Sequence, residues 1–131
     1  MYNTMTVLLA SHNQLDSING IPDLQKIKKL DLSHNQISDV TALILLSELN
    51  ELDLSNNALT SIQGFEMLMP LQRLKLAHNE ITELPPFQAT CQLVTIDISY
   101  NQITDLPVFQ KTCELVHINM AHNLLLNVDM L

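Results

Sequence analysis

Residues 33 to 35 place a serine, a histidine and an asparagine side by side between apolar residues, within the stretch LDLSHNQI. Enzymes use these residue types for nucleophilic catalysis, in which a histidine activates a serine hydroxyl. Ser33 would need His34 within hydrogen-bonding reach, yet adjacent residues on a strand point to opposite faces. What this stretch can do therefore depends on the element that holds it.

The same stretch recurs at a constant interval along the chain. Asparagines stand 22 residues apart at Asn13, Asn35, Asn57, Asn79, Asn101 and Asn123. Each lies in the same apolar frame, which around Asn35 consists of Ile27, Leu30, Leu32 and Ile37. Six copies without an insertion indicate a repeat protein.

Each repeat predicts a short strand followed by a returning arm. Leu30 and Leu32 alternate with polar residues, which is typical of a strand with one buried face. After the asparagine the apolar spacing becomes three, as from Ile37 to Val40, and this favours 3₁₀ or extended turns. The segment ALILL at 42 to 46 is compatible with a short helix. One such unit cannot bury its apolar edge alone, so stacking predicts a solenoid with one parallel strand per repeat.

This arrangement gives the asparagines a structural role. Where a strand turns inward, backbone groups of the loop are buried without strand partners. An Asn amide offers two donors and an acceptor, enough to bond that backbone and the neighbouring repeat. We therefore interpret the six asparagines as a stacked ladder, and we predict no catalytic residue in this chain.

The pattern resembles the leucine-rich repeat family over residues 1–131, which we expect to form a single domain. The 22-residue period, with the trailing arm seen in NQISDVTAL, is similar to the class that includes a regulatory subunit of protein phosphatase one and the internalins. The resemblance implies an α/β-type leucine-rich repeat solenoid of six repeats, with a concave parallel β-sheet and 3₁₀ or extended convex arms. It also implies a scaffold that binds a partner protein.

Strand residues that point away from the buried side are expected to line the concave face. We assign partner binding to twelve of these positions: Asp31, His34, Glu51, Asp53, Arg73, Lys75, His78, Asp97, Tyr100, His117, Asn119 and His122. Ser33 and Ser99 are expected to be exposed on the same face.

Opposite charges also recur on neighbouring strands of this face. Glu51 beside Arg73, and Asp53 beside Lys75, predict two cross-strand pairs, each contributing roughly 0.2 to 1 kcal/mol. Whether either pair also contacts a partner is open at this point.

Histidines concentrate at one repeat position, just before the asparagine: His12, His34, His78 and His122. Neighbouring strands lie roughly 5 Å apart, so His12 and His34 could share a zinc ion with Asp31. A zinc site needs three or four converging ligands, and Asn56 and Tyr100 are expected to isolate His78 from the other histidines. We predict no metal and no cofactor, and a metal-binding or catalytic histidine face is the least favoured alternative.

Composition and charge exclude several classes of function. The net charge of −8 and the lack of a large basic cluster disfavour nucleic-acid binding. No apolar run approaches the roughly 18 residues that span a bilayer, and MTVLLA follows no basic residue of the kind that begins a signal peptide. Cys91 and Cys113 share one repeat position at a spacing that allows a disulfide, but without an export signal free thiols are favoured. We expect an intracellular, cytoplasmic protein, because no export signal is visible in the sequence.

The favoured function is thus a protein-binding scaffold. The main alternative is a structural repeat segment of a larger protein with its interface elsewhere. Apolar residues at 7 to 9 and 124 to 126 lie in end repeats that no polar cap covers. They predict self-association or flanking sequence in a longer parent protein.

Overall fold

A computed structural model describes residues 4–87, 92–107 and 114–128 of the chain. Six strands pair in chain order into one parallel sheet. They are β1 (Val7–Leu9), β2 (Lys29–Asp31), β3 (Glu51–Asp53), β4 (Arg73–Lys75), β5 (Thr95–Asp97) and β6 (His117–Asn119). We call each strand with its returning arm a rung, so that rungs one to six carry β1 to β6. The predicted solenoid with one parallel strand per repeat is confirmed.

The register of the sheet equals the period of the sequence. Leu30 of β2 pairs with Leu8 of β1 and with Leu52 of β3, and the same step continues to Ile118 of β6. The middle residue of each strand faces the interior, whereas its two neighbours face the other side of the sheet. Equivalent side chains of successive rungs therefore form straight columns.

The interior is a continuous column of aliphatic side chains. Leu52, Leu54, Leu74 and Leu76 are at most 2% exposed, and Phe65 fills the arm side at 1% exposure. Burying one such side chain contributes about 1.5–3 kcal/mol. The core runs along the solenoid and is built from contacts between successive rungs.

The described parts of the returning arms contain three 3₁₀ helices, at Ile21–Asp23, Thr41–Leu45 and Phe65–Met67. The second lies where the sequence is compatible with a short helix. Gly64 precedes the third with a φ of 101°, a left-handed conformation that glycine adopts without steric cost. In rung two the Asp39 carboxylate accepts bonds from the Thr41 backbone N–H and hydroxyl. These bonds hold the pKa of Asp39 below its ordinary value.

Some predictions fall outside the described residues. Cys91 and Cys113 both lie there, so their interpretation as free thiols stays a prediction. A single domain over residues 1–131 is likewise still a prediction.

Candidate protein-binding face

The outer residues of β2 to β6 form one face of the sheet, which we call the sheet face. Strand pairing places Lys29, Glu51, Arg73, Thr95 and His117 in a first row across it. It places Asp31, Asp53, Lys75, Asp97 and Asn119 in a second row. Eight of the twelve residues predicted to bind a partner lie in these two rows.

Charges in the first row are joined across three strands. Glu51 lies between two cations: its Oε1 is 3.1 Å from Arg73 Nη1, and its Oε2 is 3.8 Å from Lys29 Nζ. The predicted Glu51–Arg73 pair is confirmed. The side chains of Lys29 and Arg73 are about half exposed, and ion pairs in such positions contribute roughly 0–1 kcal/mol. The network orients these charged groups more than it stabilises the fold.

The second predicted pair does not form. Asp53 and Lys75 are register partners on β3 and β4, yet among the described residues no ion pair joins them. The prediction was wrong, and the Asp53 carboxylate instead binds the turn that follows its own strand. Its Oδ1 accepts the N–H of Ser55 at 3.0 Å.

Acidic residues of the second row make the same turn in other rungs. Asp31 Oδ1 accepts the Ser33 N–H at 2.9 Å and the Ser33 hydroxyl at 2.7 Å. Asp97 binds Ser99 in the same way, at 3.0 and 2.7 Å. Ser33 and Ser99 are therefore 6% and 4% exposed, and the expectation that they would be exposed was wrong.

The bonds of this turn also bear on whether Ser33 could act as a nucleophile. Its hydroxyl donates to Asp31, and the hydroxyl is buried rather than open to a substrate. The signal was present in the sequence, since Asp followed two residues later by Ser is typical of a side-chain-stabilised turn. The geometry gives Ser33 a structural role.

The residue before each ladder asparagine has a left-handed backbone. The six are His12, His34, Asn56, His78, Tyr100 and His122, with φ between 55° and 58°. We call them the turn column. Such values are uncommon for residues other than glycine, and Asn and His are among the types that tolerate them best. The preference of this position for His is thus explained by the backbone, which sequence analysis did not identify.

Side chains of the turn column stack on one another. The rings of His12 and His34 are 4.0 Å apart, and Tyr100 stacks between His78 and His122 at 4.2 Å from each. Tyr100 lies between His78 and His122 and separates them, as expected, and constant register aligns the three rings. Asn56 Nδ2 lies 3.4 Å from His34 Nε2 and continues the column. The turn column contains the other four residues predicted to bind a partner, His34, His78, Tyr100 and His122, and all four are exposed.

The ladder asparagines lie directly after the turn column, and those of rungs two to six bond to two rungs at once. Asn79 Nδ2 lies 3.0 Å from Leu54 O, 3.1 Å from Leu76 O and 3.4 Å from Ala77 O. Its Oδ1 accepts the Leu59 N–H of the preceding rung at 3.0 Å. Asn35, Asn57, Asn101 and Asn123 repeat this arrangement. These bonds support a structural interpretation of the asparagines.

Two depressions of the surface lie over charged and polar side chains. One of about 190 Å³ lies over the first-row charges Lys29, Glu51 and Arg73. Another, of about 470 Å³, lies over His78, Tyr100 and ladder amides, and is wide open. Small-molecule sites are usually concave and lined by apolar groups, so these depressions fit a broad contact better.

Within residues 4–87, 92–107 and 114–128, no group of three or more His, Cys, Asp or Glu side chains is placed to hold a metal ion. No helix in that part of the chain is long and apolar enough to cross a membrane.

Comparisons with known proteins show the same repeat. The family model described as Leucine Rich repeats (2 copies) matches residues 4–45, 47–89 and 71–109. Among curated proteins, none matches the chain.

Three similar solved structures come from two bacteria. Internalin C2 of Listeria monocytogenes str. 4b F2365 has 31% identity and a TM-score of 0.83, over 96% of this chain and 56% of that one. An internalin (inlF) of the same strain has 19% identity and a TM-score of 0.75, over 98% and 45% of the two chains. A leucine-rich repeat protein of Leptospira interrogans has 23% identity and a TM-score of 0.69, over 94% and 38%. The last two show the fold alone.

The chain therefore spans about half, or less, of the length of these solved structures. The family model nevertheless covers most of its residues, in agreement with the stacked rungs of the fold. This chain belongs to the leucine-rich repeat family.

Proposed function

We propose that the chain is a non-catalytic module that binds a partner protein on the sheet face, across rungs three to five. The observation that supports this most is the mixed-charge patch in which Glu51 is held between Lys29 and Arg73. The patch lies on β2, β3 and β4, so Glu51 and Arg73 belong to two of the three proposed rungs, and it is open to solvent. Leucine-rich repeat proteins generally serve as protein-interaction modules, and this role fits a broad exposed face.

Rigidity favours binding at this face. Its side chains project from hydrogen-bonded strands, so little conformational entropy is lost when a partner docks. Arg and Tyr are enriched among residues that dominate binding energy. Arg73 and Tyr100 lie on adjacent rungs, and Tyr100 is 45% exposed. These two side chains are the contacts that we expect to matter most.

Negative charge around this centre favours a partner with basic groups. The turn bonds of Asp97 use Oδ1, so its Oδ2 can still accept a bond from the partner. Asp53 is placed in the same way. Complementary charge at the edge of an interface mainly raises the association rate.

The test is to identify a partner by capture from cells that express the protein, and then to measure its affinity for purified variants. Arg73→Ala and Tyr100→Asn should each weaken binding by about 1–3 kcal/mol. Asparagine suits the left-handed backbone at position 100, as at Asn56, so the fold should be kept. Circular dichroism and thermal melting check this.

Gln63→Ala supplies the matched control, because Gln63 is exposed on the arm of rung three. It should leave affinity unchanged. Equal or larger losses from Gln63→Ala would move the interface to the convex side and contradict the proposal.

Asp97→Asn isolates the effect of charge. Asparagine keeps the oxygen that caps the turn, as Asn119 does for Ala121 at 3.2 Å. The variant should fold normally but associate more slowly, with a weaker dependence on salt. Stopped-flow measurements at low and high ionic strength check this. Unchanged rates at both would remove Asp97 from the interface.

The main alternative is a structural segment of a longer protein, and one observation favours it. The similar internalin C2 structure is longer, since this chain covers 56% of it. Sheet-face variants that leave every captured partner bound would support that alternative. A cytoplasmic location also stays a prediction, which cell fractionation checks.

A further inference from the structure

Each interface between rungs uses one set of bonds. Between rungs five and six the bonds are Ile98 N–H to Asn119 O (2.8 Å), Tyr100 N–H to Ala121 O (2.9 Å) and Ile103 N–H to Asn123 Oδ1 (3.1 Å). In return, Asn123 Nδ2 donates to Ile98 O at 2.9 Å. Earlier rungs repeat this set one period apart. One side of a rung is therefore complementary to the opposite side of any other.

Rung six presents the donor side of this set without a partner. Within the described residues, no acceptor is bonded to the N–H groups of Met120, His122 and Leu125. They correspond, one period on, to the three donors of rung five. The side is therefore prepared for a further rung that is stacked in parallel.

Rung one presents the matching acceptor side. In the part of the chain that the structure describes, Asn13 donates to Ala10 O and Ser11 O, but its Oδ1 receives no donor. Leu9 O and Ser11 O stand where later rungs take a bond from the preceding rung, as Asp31 O does from Ala10. Rung one thus offers what rung six lacks.

Apolar residues mark both end rungs at positions that are polar elsewhere. Leu124 and Leu126 are 59% and 89% exposed, whereas the equivalent residues of rung five are Gln102 and Thr104. In rung one Val7 and Leu9 are 49% and 64% exposed, at positions that are charged in β2, β3 and β4. Exposed apolar clusters are typical of interaction sites.

Pairing of the two ends would create no charge conflict. Continuing the register would set His117, Ile118 and Asn119 of β6 opposite Val7, Leu8 and Leu9 of another β1. Inside the chain, by contrast, Asp31 already lies opposite Asp53. The outermost rings of the turn column, His122 and His12, would meet as neighbouring rings do within the chain.

We propose that rung six binds rung one of a second copy of this chain, so that the parallel sheet continues head to tail from one molecule into the next. Such a contact is heterologous, and each copy keeps one free end, which permits short linear assemblies. The contact uses the ends of the solenoid and leaves the sheet face open.

Sedimentation of the purified chain between about 1 µM and 1 mM, a range that covers weak association, tests this proposal. The average mass should rise with concentration at physiological salt, where the mutual repulsion of copies with a net charge of −8 is screened. Ala121→Asp should weaken association about tenfold or more. Ala121 is exposed in rung six, whereas its equivalents Ser33, Ala77 and Ser99 are buried between two rungs, so a further rung would bury the added carboxylate without a partner. Leu45→Asp is the matched control, since Leu45 is 58% exposed on the arm of rung two, and it should change nothing.

A mixing experiment tests the head-to-tail geometry. Ala121→Asp blocks rung six alone, and Asn13→Asp blocks rung one alone by removing the amide donor. Each variant should be monomeric by itself, and the equimolar mixture should form dimers but nothing larger. The proposal would be overturned if the wild-type chain stayed monomeric at every concentration. Its ends would then be expected to contact further repeats or another protein instead. An equal effect of Leu45→Asp, or blocked variants that fail to combine, would also overturn the proposal.

Discussion

The central rungs and the end rungs carry the same sequence pattern, yet they differ in burial. Leu52 and Leu74, in the middle strands, are 2% and 0% exposed. Their equivalents Leu8 and Ile118, at the two ends, are only partly buried. A central side chain is covered by a rung on each side, whereas an end side chain is covered on one side alone.

Hydrogen bonding shows the same difference. Asn79, in the centre, donates to carbonyls of two rungs and accepts a backbone N–H from the preceding one. Asn13 donates only to Ala10 and Ser11 of its own rung. The repeat sequence therefore specifies a rung, but its neighbours supply much of its stability, as expected for a solenoid.

The largest effect should come from the interior. Leu52→Ala leaves a cavity covered on both sides and should lower the free energy of unfolding by about 2–5 kcal/mol. Leu8→Ala removes the same atoms from a half-covered site and should cost clearly less. Chemical denaturation of dilute protein measures both. Equal losses would mean that burial by neighbouring rungs does not set the stability.

Next come the asparagines. Asn79→Ala leaves buried carbonyl groups and one N–H without partners and should cost about 1–3 kcal/mol. Asn13→Ala removes bonds that are exposed to water, so its effect on the same denaturation curve should be a fraction of that. A larger loss for Asn13→Ala would contradict the structural role assigned to the ladder.

The glycines of a central arm and of an end arm can be compared in the same way. Gly64→Ala should cost about 1–3 kcal/mol, because a left-handed backbone is strained for alanine and the new Cβ would lie 3.1 Å from Ile44 Cγ2. Gly20, in the arm of rung one, has a φ of −85° and open space around it. Gly20→Ala should be neutral or slightly stabilising in thermal melting. A destabilised Gly20→Ala variant would show that the end arm is as tightly constrained as the central one.

The smallest effect should come from the sheet face. Glu51→Gln removes both ion pairs of Glu51 and should change the free energy of unfolding by less than about 1 kcal/mol. The difference should shrink further at high salt. A loss as large as that of Asn79→Ala would show that the sheet face is built for stability rather than left free for binding.

Sequence patterns predicted the fold because the alternation of apolar and polar residues and the 22-residue period both follow from the geometry of the backbone. Leu30 and Leu32 indicated a buried strand face, and the constant interval of the asparagines fixed the register before any coordinates. The candidate face was predicted less well. The rule that alternate residues share a face holds only as far as Asp31, because the chain then turns into the left-handed conformation of His34.

Two features that sequence analysis missed follow from that turn. Ser33 is turned inward by its bonds to Asp31, so it does not belong to the exposed face. Tyr100 separates His78 from His122 as expected, but the stacking of the three rings was not predicted. Both depend on where side chains lie after a change of backbone direction, which a periodic pattern does not describe. The Asp-x-Ser motif and the recurring His and Asn before the ladder were the signals that predict the turn.

Amide hydrogen exchange in dilute, monomeric protein tests most directly the claim that neighbouring rungs stabilise one another. Leu54 and Leu76 N–H groups, which donate across central rungs at 2.8 and 2.7 Å, should exchange slowest. Protection should fall toward both ends, and the Met120 and Leu125 N–H groups should exchange almost as fast as in an unfolded chain. Uniform protection from β1 to β6, or slow exchange at Met120 and Leu125 in the monomer, would contradict the account.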